Sequence, residues 1–552
     1  MRISKWTGVR PRWLPTSIIT RCALRILASS LAVLVFASLL LAQSPDTITP
    51  SGRDDTRFYS SRYLALDNWS YAYVNALIAR GRLTDLSPLM QPYRRIDVAV
   101  AVLEAEREGR LTREELAWAA LLKQELRREV EVLEGNEPQR VTFNGEFAAG
   151  FEAVSQLHRD MLRSTGDAHF FPTLALRLYG AAPAVTAAID FNWNNHYLND
   201  PQYPNGRAMP PRQCDPIVDE CAYRMDEAYV EVQLPYVRLF VGRMYRNWGL
   251  PEVYGYLISD YRYSYDHIGY RFGSDRVALS GLFGTFNDFQ GDTAHYMSTH
   301  RFDWTIRDNL TIAVGESAVW GGPDRRVDLS LLNPVNAWEV TLSGNANLLG
   351  LAELWWRPFS NLLTYGVFMV DNTSVDDEEE YDIESGLTQY AAGLGVQIPM
   401  VTPVFGLRAD FSIVNALAYR SRVAFWEYYT IGQAGWGIGL AQDRVDQVLV
   451  SLQGDWWPYP GVLLRPYIQL LWKGEDDLTD PWPEDAFTGR DRLLVGTIEK
   501  TIRPALAGQF HFRYGELRWD LGANVVRNDD HIEQDWKLDF VGRVEAELRV
   551  GF

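Results

Sequence analysis

The sequence is poor in cysteine, with only three in 552 residues. Cys22 lies in an N-terminal segment that we expect to be removed, so Cys214 and Cys221 remain as a pair. In an oxidising compartment they can form a disulfide, and closing the short ring between them would contribute about 2.5 kcal/mol by chain entropy before strain. Two unpaired thiols are the alternative. A metal site is disfavoured, because no Cys or His partner lies nearby in the sequence.

Long apolar runs are also lacking after residue 42. Before it, six basic residues precede an apolar and small-residue run at 26–42, and this order is typical of a secretory signal peptide. We therefore expect a signal peptide at 1–42 and a linker at 43–60. The alternative is an uncleaved inner-membrane anchor, since about 17 apolar residues reach the lower limit for a spanning helix. The polar, proline-containing sequence after Ala42 favours cleavage and leaves a secreted protein or a membrane barrel.

The charge balance is strongly acidic. The formal net charge is -18, and loss of the six basic residues of the expected signal, which has no acidic residue, makes the mature chain -24. Nucleic acid is therefore not an expected partner. The eight histidines show no Ser/His/Asp grouping by spacing, so a hydrolase is the least favoured of the functions considered.

Residues 61–135 carry the only helical pattern, which predicts a small helical region before a β-rich remainder. Leu66, Trp69, Tyr73 and Leu77 recur at helical spacing. Thr112 followed by Glu115 has the form of a capping box at the start of a helix. The many interleaved Glu and Arg residues are most simply a solvated, salt-bridged face.

From 140 to 552 the apolar period changes to two, which predicts β-strands. The alternating apolar rows are Phe405, Leu407, Ala409, Phe411 and Ile413; Leu464, Pro466, Ile468, Leu470 and Trp472; and Leu517, Trp519, Leu521, Ala523 and Val525. A soluble β-sandwich also alternates, so three further features decide between the two. About 410 residues of strand-like sequence without a break are ordinary for a barrel of 16–18 strands.

The second feature is the aromatic content, 13% of the chain, which is often placed near segment ends as interfacial girdles require. The third is the final segment, where Phe540, Leu548, Val550 and Phe552 belong to an alternating row that ends on an aromatic residue. Such a strand resembles the signal that bacterial outer-membrane barrels present to their insertion machinery. We therefore predict an all-β, antiparallel transmembrane barrel of about 16–18 strands at 140–552, located in an outer membrane and in contact with its lipid.

Several short motifs resemble the capsule-assembly Wzi family of outer-membrane proteins. They are residues 241–249 (VGRMYRNWG), 257–259 (LIS), 300–302 (HRF) leading to Gly315 and Glu316, and 331–334 (LLNP). Their order and spacing carry the resemblance, over roughly residues 225–340. It implies a non-enzymatic, lectin-like barrel that attaches or organises surface polysaccharide, with the helical region closing the periplasmic end.

Around the first motif, Arg243, Arg246, Trp248, Tyr261 and Tyr263 are candidates for binding polysaccharide. The arginine forks suit the carboxylates of an acidic polysaccharide, and the aromatic faces could stack on sugar rings. The alternative is structural: lumenal arginines pair with facing carboxylates, and aromatic residues lie in the membrane interface.

His300, Arg301 and Glu316 are predicted to form a lumen-facing polar set on neighbouring strands, without a catalytic role. The acidic run at 376–382 has oxygen ligands for calcium, but without ordered spacing a solvated loop is favoured. No metal or other cofactor is expected. A diffusion channel built on the same barrel is the main alternative function.

Overall fold

The computed structural model describes most of the chain after residue 58. The described residues are 59–135, 141–157, 160–162, 168–194, 196, 223–250, 255–260, 264–285, 293–323, 325–338, 346–371, 389–421, 445–478, 480, 483 and 492–551. The expected signal peptide and most of the linker lie outside them, as do Cys214, Cys221, Tyr261, Tyr263, Phe552 and the acidic run at 376–382. The disulfide and the signal peptide stay predictions.

Four helices lie in the N-terminal part of the described chain: α1 Tyr71–Ala79, α2 Arg95–Arg107, α3 Arg113–Glu125 and α4 Arg127–Leu133. The capping box that begins α3 is confirmed, because the Thr112 side chain accepts from the Glu115 backbone and the Glu115 side chain accepts from the Thr112 backbone. None of the helices in the described part of the chain combines the length and the apolar character needed to cross a membrane.

The regular secondary structure of the rest of the described chain is almost entirely strand. The strands are β1 Met90–Gln91, β2 Thr142–Val154, β3 His169–Ala182, β4 Val185–Asn194, β5 Tyr223–Gln233, β6 Val237–Met244, β7 Asn247–Trp248, β8 Tyr265–Gly273, β9 Val277–Thr285, β10 Thr293–Arg307, β11 Leu310–Pro323, β12 Asn347–Phe359, β13 Leu362–Asp371, β14 Tyr390–Thr402, β15 Phe405–Val414, β16 Gln447–Tyr459, β17 Val462–Lys473, β18 Glu499–Phe512, β19 Gly515–Arg527 and β20 Lys537–Gly551.

Eighteen of these strands form one closed antiparallel barrel, and β1 pairs separately with β7. Each barrel strand pairs with its neighbours in the sequence, and β6 pairs directly with β8. The ring closes between the first and last barrel strands, where Glu146 of β2 lies opposite Gly551 of β20. The predicted fold class and strand number are confirmed.

Alternate residues of each strand face outward and inward, as a pleated strand requires. In β19, Leu521 is 49% exposed, whereas Glu516 and Asn524 are buried. In β15, Phe411 is exposed and Arg408 is buried. Exposed apolar side chains occur on at least fifteen of the eighteen barrel strands: Phe147, Leu174, Val241, Ile268, Phe302, Val314, Leu354, Phe368, Leu394, Phe411, Leu452, Ile468, Leu506, Leu521 and Leu548. The outer face is therefore apolar.

The two ends of the barrel differ in their connections. At one end, the strands are joined by turns of two or three residues, such as 360–361 and 460–461. At the other end, the connections have seven residues or more, up to 415–446. In outer-membrane barrels the short turns face the periplasm and the long loops face outward. We call these the short-turn end and the long-loop end.

Aromatic pairs near the short turns divide between the two faces of the wall. Trp356 and Trp456 are more than 40% exposed on the outside, as an interfacial girdle requires. Their neighbours Trp355 and Trp457 face inward, because successive residues of a strand point to opposite faces, and they belong to the same apolar cluster as the helices. In each pair, one tryptophan thus lies at the membrane interface and the other packs against the helical region.

The helical region is seated inside the short-turn end. The Trp69 ring stacks on His511 of β18, with the ring centres 3.8 Å apart, and the Trp118 ring lies 4.9 Å from that of Trp457. The Tyr73 hydroxyl accepts from the backbone of Gly461, in a short turn. These contacts make the helices a plug, and we use this name for residues 59–135.

A second apolar cluster occupies the lumen on the other side of the plug. It includes Trp248, Tyr256 and Ile258 of the β6–β8 connection, packed with inward residues such as Leu351 and Met369. The short strand β7 of this connection pairs with β1 of the plug. The long-loop side and the plug side therefore meet inside the barrel.

A closed barrel with an apolar outer band is a structure that satisfies its backbone hydrogen bonds within a membrane. Its strands and its unequal ends match those of outer-membrane barrels. The protein is an outer-membrane β-barrel.

Candidate functional site

The two predicted arginines lie on opposite faces of the wall. Arg243 shares the outer face of β6 with the exposed Leu239 and Val241, and its Nη2 lies 2.5 Å from Oδ2 of Asp266 on β8. Arg246 follows the end of β6, where the chain turns into the lumen, and it is only 9% exposed. The structure thus places Arg243 and Arg246, which were predicted from the sequence as one candidate binding site, on opposite faces of the barrel wall.

Arg246 is held by a neutral histidine and an aromatic ring. Its Nε donates to Nε2 of His267 at 2.7 Å. Nδ1 of His267 lies 2.9 Å from the carbonyl of Tyr265, so Nδ1 carries the proton and Nε2 accepts. The guanidinium carbon lies 4.5 Å from the centre of the Phe240 ring. These contacts fix the side chain and use only part of its donor fork.

Trp248 lies in β7, is 2% exposed, and faces Met90 in the short ladder. Its place is therefore the interior of the lumen, beside Arg246 and not beside Arg243. Tyr261 and Tyr263, of the same connection, lie outside the described residues.

Arg246 and Trp248 line a cavity of about 130 Å³ between the plug and the wall formed by β5, β6, β8 and β9. We call it the arginine–aromatic chamber. Its charged and aromatic lining residues include Tyr63, Arg94, Asp97, Glu231, Arg238, Phe240, Arg246, Trp248 and Arg271. Leu234, Tyr236 and Asp275, which belong to two short turns, also line it, so it reaches the short-turn end.

The positive charges of this chamber are only partly compensated. Arg94 and Arg238 both pair with Asp97. Burial alone would raise the pKa of Asp97, but the two guanidinium groups outweigh it and hold that pKa below its usual range. Arg271 lies directly opposite Arg238 in the ladder and donates to the Ser280 hydroxyl at 3.2 Å.

Among the described residues, neither Arg246 nor Arg271 has a carboxylate within ion-pair distance. Two guanidinium groups with spare donors beside the faces of Tyr63, Phe240 and Trp248 form a surface suited to an anionic, ring-shaped ligand. Arg271 was missed from the sequence because nothing in its own strand distinguishes it from an arginine paired across the lumen. Only the folded structure shows that, among the described residues, no carboxylate lies within ion-pair distance of Arg271.

The predicted lumenal polar set, His300, Arg301 and Glu316, is also divided between the inner and outer faces of the wall. Arg301 faces inward at 1% exposure and pairs with Asp303 at 2.9 Å and with Glu353 at 2.5 Å. His300 and Glu316, opposite each other on β10 and β11, lie on the outer face with the exposed Phe302 and Val314. The physical reason is parity, because the side chains of neighbouring residues in a strand point to opposite faces.

The outward pair is covered by the connection that follows β11. His300 Nε2 lies 3.5 Å from Oε2 of Glu316, which accepts from the backbone of Trp338 at 2.8 Å. Trp338 and Leu331 pack with Trp320 and Tyr296 against the wall. This arrangement shields a polar pair on the outer face.

A second cavity, of about 320 Å³, lies along the wall formed by β2–β5, β19 and β20. We call it the acidic chamber. Its charged lining residues are Asp67, Glu152, Asp190, Asp226, Glu227, Asp260, Glu516, Glu545 and Glu547, with Arg177, Arg518 and Arg543. Burial raises the pKa of Asp260, which lies in the β6–β8 connection, to about 6. The two chambers therefore offer opposite electrostatic environments within one barrel.

No three His, Cys, Asp or Glu side chains in the described part of the chain are arranged to coordinate a metal ion together.

Neither a family model nor a curated protein matches this sequence, whereas solved structures do. One is the Escherichia coli protein Wzi, described as an outer-membrane protein involved in group 1 capsule assembly and as a carbohydrate-binding β-barrel. It has a TM-score of 0.57 and 14% identity, over 89% of this chain and 100% of that chain.

Others are Pseudomonas aeruginosa barrels. OprD has a TM-score of 0.39 and 8% identity, over 74% of this chain and 95% of that chain. OpdO has a TM-score of 0.43 and 10% identity, over 75% of this chain and 98% of that chain. The likeness to Wzi shows a shared fold.

Proposed function

We propose that the protein binds or organises a surface polysaccharide, capsular or exopolysaccharide, in a lectin-like and non-enzymatic way. The observation that carries this proposal is the arginine–aromatic chamber, where Arg246 and Arg271 have no carboxylate partner in the described chain beside Tyr63, Phe240 and Trp248. Further support comes from the shared fold with Wzi, which is described as carbohydrate binding.

The size of the chamber indicates what it would hold. Its volume of about 130 Å³ is below the roughly 300–1,000 Å³ of pockets that enclose a whole drug-sized ligand. One acidic sugar unit of a longer chain is therefore the proposed ligand, with its carboxylate at the arginines, and the chain would enter from the short-turn end that the chamber reaches. Tyr261 and Tyr263 remain candidates for contacts with the same polysaccharide.

The test is binding of the refolded barrel to an array of acidic and neutral polysaccharides. Arg246→Ala is expected to weaken binding to the acidic ones by about 10- to 100-fold, since a hydrogen bond to a charged group contributes about 1.5–3 kcal/mol. It should also flatten the dependence of binding on salt, because a screened interaction is lost.

Arg243→Ala is the matched control, since Arg243 lies three residues away but on the outer face. It should leave both affinity and salt dependence unchanged. Both variants should keep the heat-modifiable migration that reports an intact barrel. Equal binding by the parent and a folded Arg246→Ala variant would refute the chamber as the site.

A diffusion channel is the rival function, and conductance separates the two. The plug packs against inner-wall residues of several strands, and described residues of the β6–β8 connection form a second packed cluster in the lumen. We therefore expect the parent to show no stable open pore in planar bilayers, and a variant lacking residues 59–135 to conduct more. A large, steady conductance of the parent would favour the channel.

A further inference from the structure

The acidic chamber carries more negative charge than its arginines neutralise. Arg177 contacts Asp190 and Glu547 at 3.3 and 3.0 Å. Arg518 contacts Glu516 and Glu545, each at 3.3 Å. Each of these two arginines is thus already shared between two carboxylates, and neither is left for the remaining carboxylates of the chamber.

Arg543 follows the same rule, with Glu152 at 2.9 Å and Glu545 as a second partner. The surplus of carboxylates is therefore a property of the whole chamber and not of one strand.

Glu227 is the clearest member of that surplus. It is 7% exposed and lines the chamber. Within the described part of the chain it makes no hydrogen bond and no ion pair. It lies directly opposite Asp190 in the β4–β5 ladder, and Oδ1 of Asp190 is itself buried without a hydrogen-bond partner there.

The local backbone adds a third carboxylate. The β4–β5 register shifts beside this pair, so that Asp226 has no opposite residue in the ladder. Asp226 is held by Asn192 at 2.6 Å and by the Tyr245 hydroxyl at 3.0 Å. Bulges of this kind re-aim side chains, and here the bulge crowds three carboxylates at one point of the wall.

Buried carboxylates are normally paired or bound to a cation, because an isolated buried charge is costly. We propose that a hydrated divalent cation of the magnesium type occupies the acidic chamber beside Asp190 and Glu227. Such an ion gives up its waters reluctantly, and here its waters would donate hydrogen bonds to the carboxylates.

The chamber has the space that a hydrated ion requires. One water needs about 10–15 Å³ of cavity volume, and the chamber has about 320 Å³. An ion with a full first hydration shell therefore fits, with its waters donating to the surrounding carboxylates. The site is independent of the arginine–aromatic chamber and of the proposed polysaccharide.

The experiment is magnesium binding to the refolded full chain in detergent micelles without lipid, by titration calorimetry after treatment with a chelator. The parent is expected to bind Mg²⁺ and to need a higher temperature for heat modification in millimolar MgCl₂ than in chelator. Glu227→Gln should weaken binding by about 10- to 100-fold and lose the dependence of heat modification on Mg²⁺.

Glu114→Gln, at a partly exposed carboxylate of α3 that does not line the chamber, is the control and should behave as the parent. Hexaamminecobalt(III), which mimics hydrated magnesium, should compete with Mg²⁺ on the parent, and this measurement needs no variant. A parent that binds no Mg²⁺, or a folded Glu227→Gln variant that binds it equally, would overturn the proposal.

Discussion

Leu521→Arg is expected to destabilise the membrane-inserted barrel by about 2–4 kcal/mol, the cost of an arginine on the lipid face near the bilayer midplane. Leu521 is 49% exposed on the outer face, halfway along β19. Its ladder partners are Leu506 of β18 and Gly542 of β20, so no neighbour offers a counter-charge. The measurement is the free energy of folding into lipid vesicles by denaturant titration.

Leu548→Arg provides a matched control with the same chemical change. Leu548 is 58% exposed, but it lies opposite Gly515, at the level of a short turn. There an arginine reaches the membrane interface, and the cost should be about 0–1 kcal/mol. Equal folding of Leu521→Arg and the parent would show that this face does not meet lipid.

Glu115→Ala is expected to destabilise the docked plug by about 3–5 kcal/mol, the usual cost of removing one partner of a buried ion pair. Glu115 is fully buried and accepts from Arg80 Nη1 at 3.2 Å and from Arg82 Nε at 3.0 Å. Its loss leaves the buried Arg80 charge without a carboxylate and also removes the capping box of α3.

Tryptophan fluorescence should report this change, because Trp69 and Trp118 of the plug contact the inner wall. Glu131→Ala is the control: Glu131 pairs with an exposed Arg127 on the same helix, and such pairs contribute only about 0.3–0.5 kcal/mol. A Glu115→Ala variant whose plug unfolds at the denaturant concentration of the parent would contradict the argument.

The barrel and the start of α3 could be predicted from sequence because both follow from local rules. The capping box needs only Thr112 and Glu115, three residues apart. The alternation of β15 and β19 needs only a period of two and an apolar outside. Such patterns do not depend on which strand lies next to which.

The candidate site could not be predicted in the same way, because its geometry depends on where strands end. Arg243 and Arg246 differ by three residues, and β6 ends between them at Met244. One therefore remains in the ladder facing outward, while the other enters the lumen. The prediction that His300 and Arg301 both face the lumen was wrong for a simpler reason, since adjacent residues of a strand cannot share a face. The prediction from sequence had grouped these residues because they are close together along the chain.

The closure of the barrel between β2 and β20 has a consequence for synthesis and insertion. The first strand finds one of its two partners only when the last residues of the chain are available, as the Glu146 and Gly551 pairing shows. Until then a growing or exported chain presents two open sheet edges, which are templates for pairing with other chains. Contacts of such long sequence separation also form slowly. Delivery of this protein must therefore protect both edges for the whole passage of the polypeptide, and a chain that ends early is an aggregation hazard, not a smaller barrel.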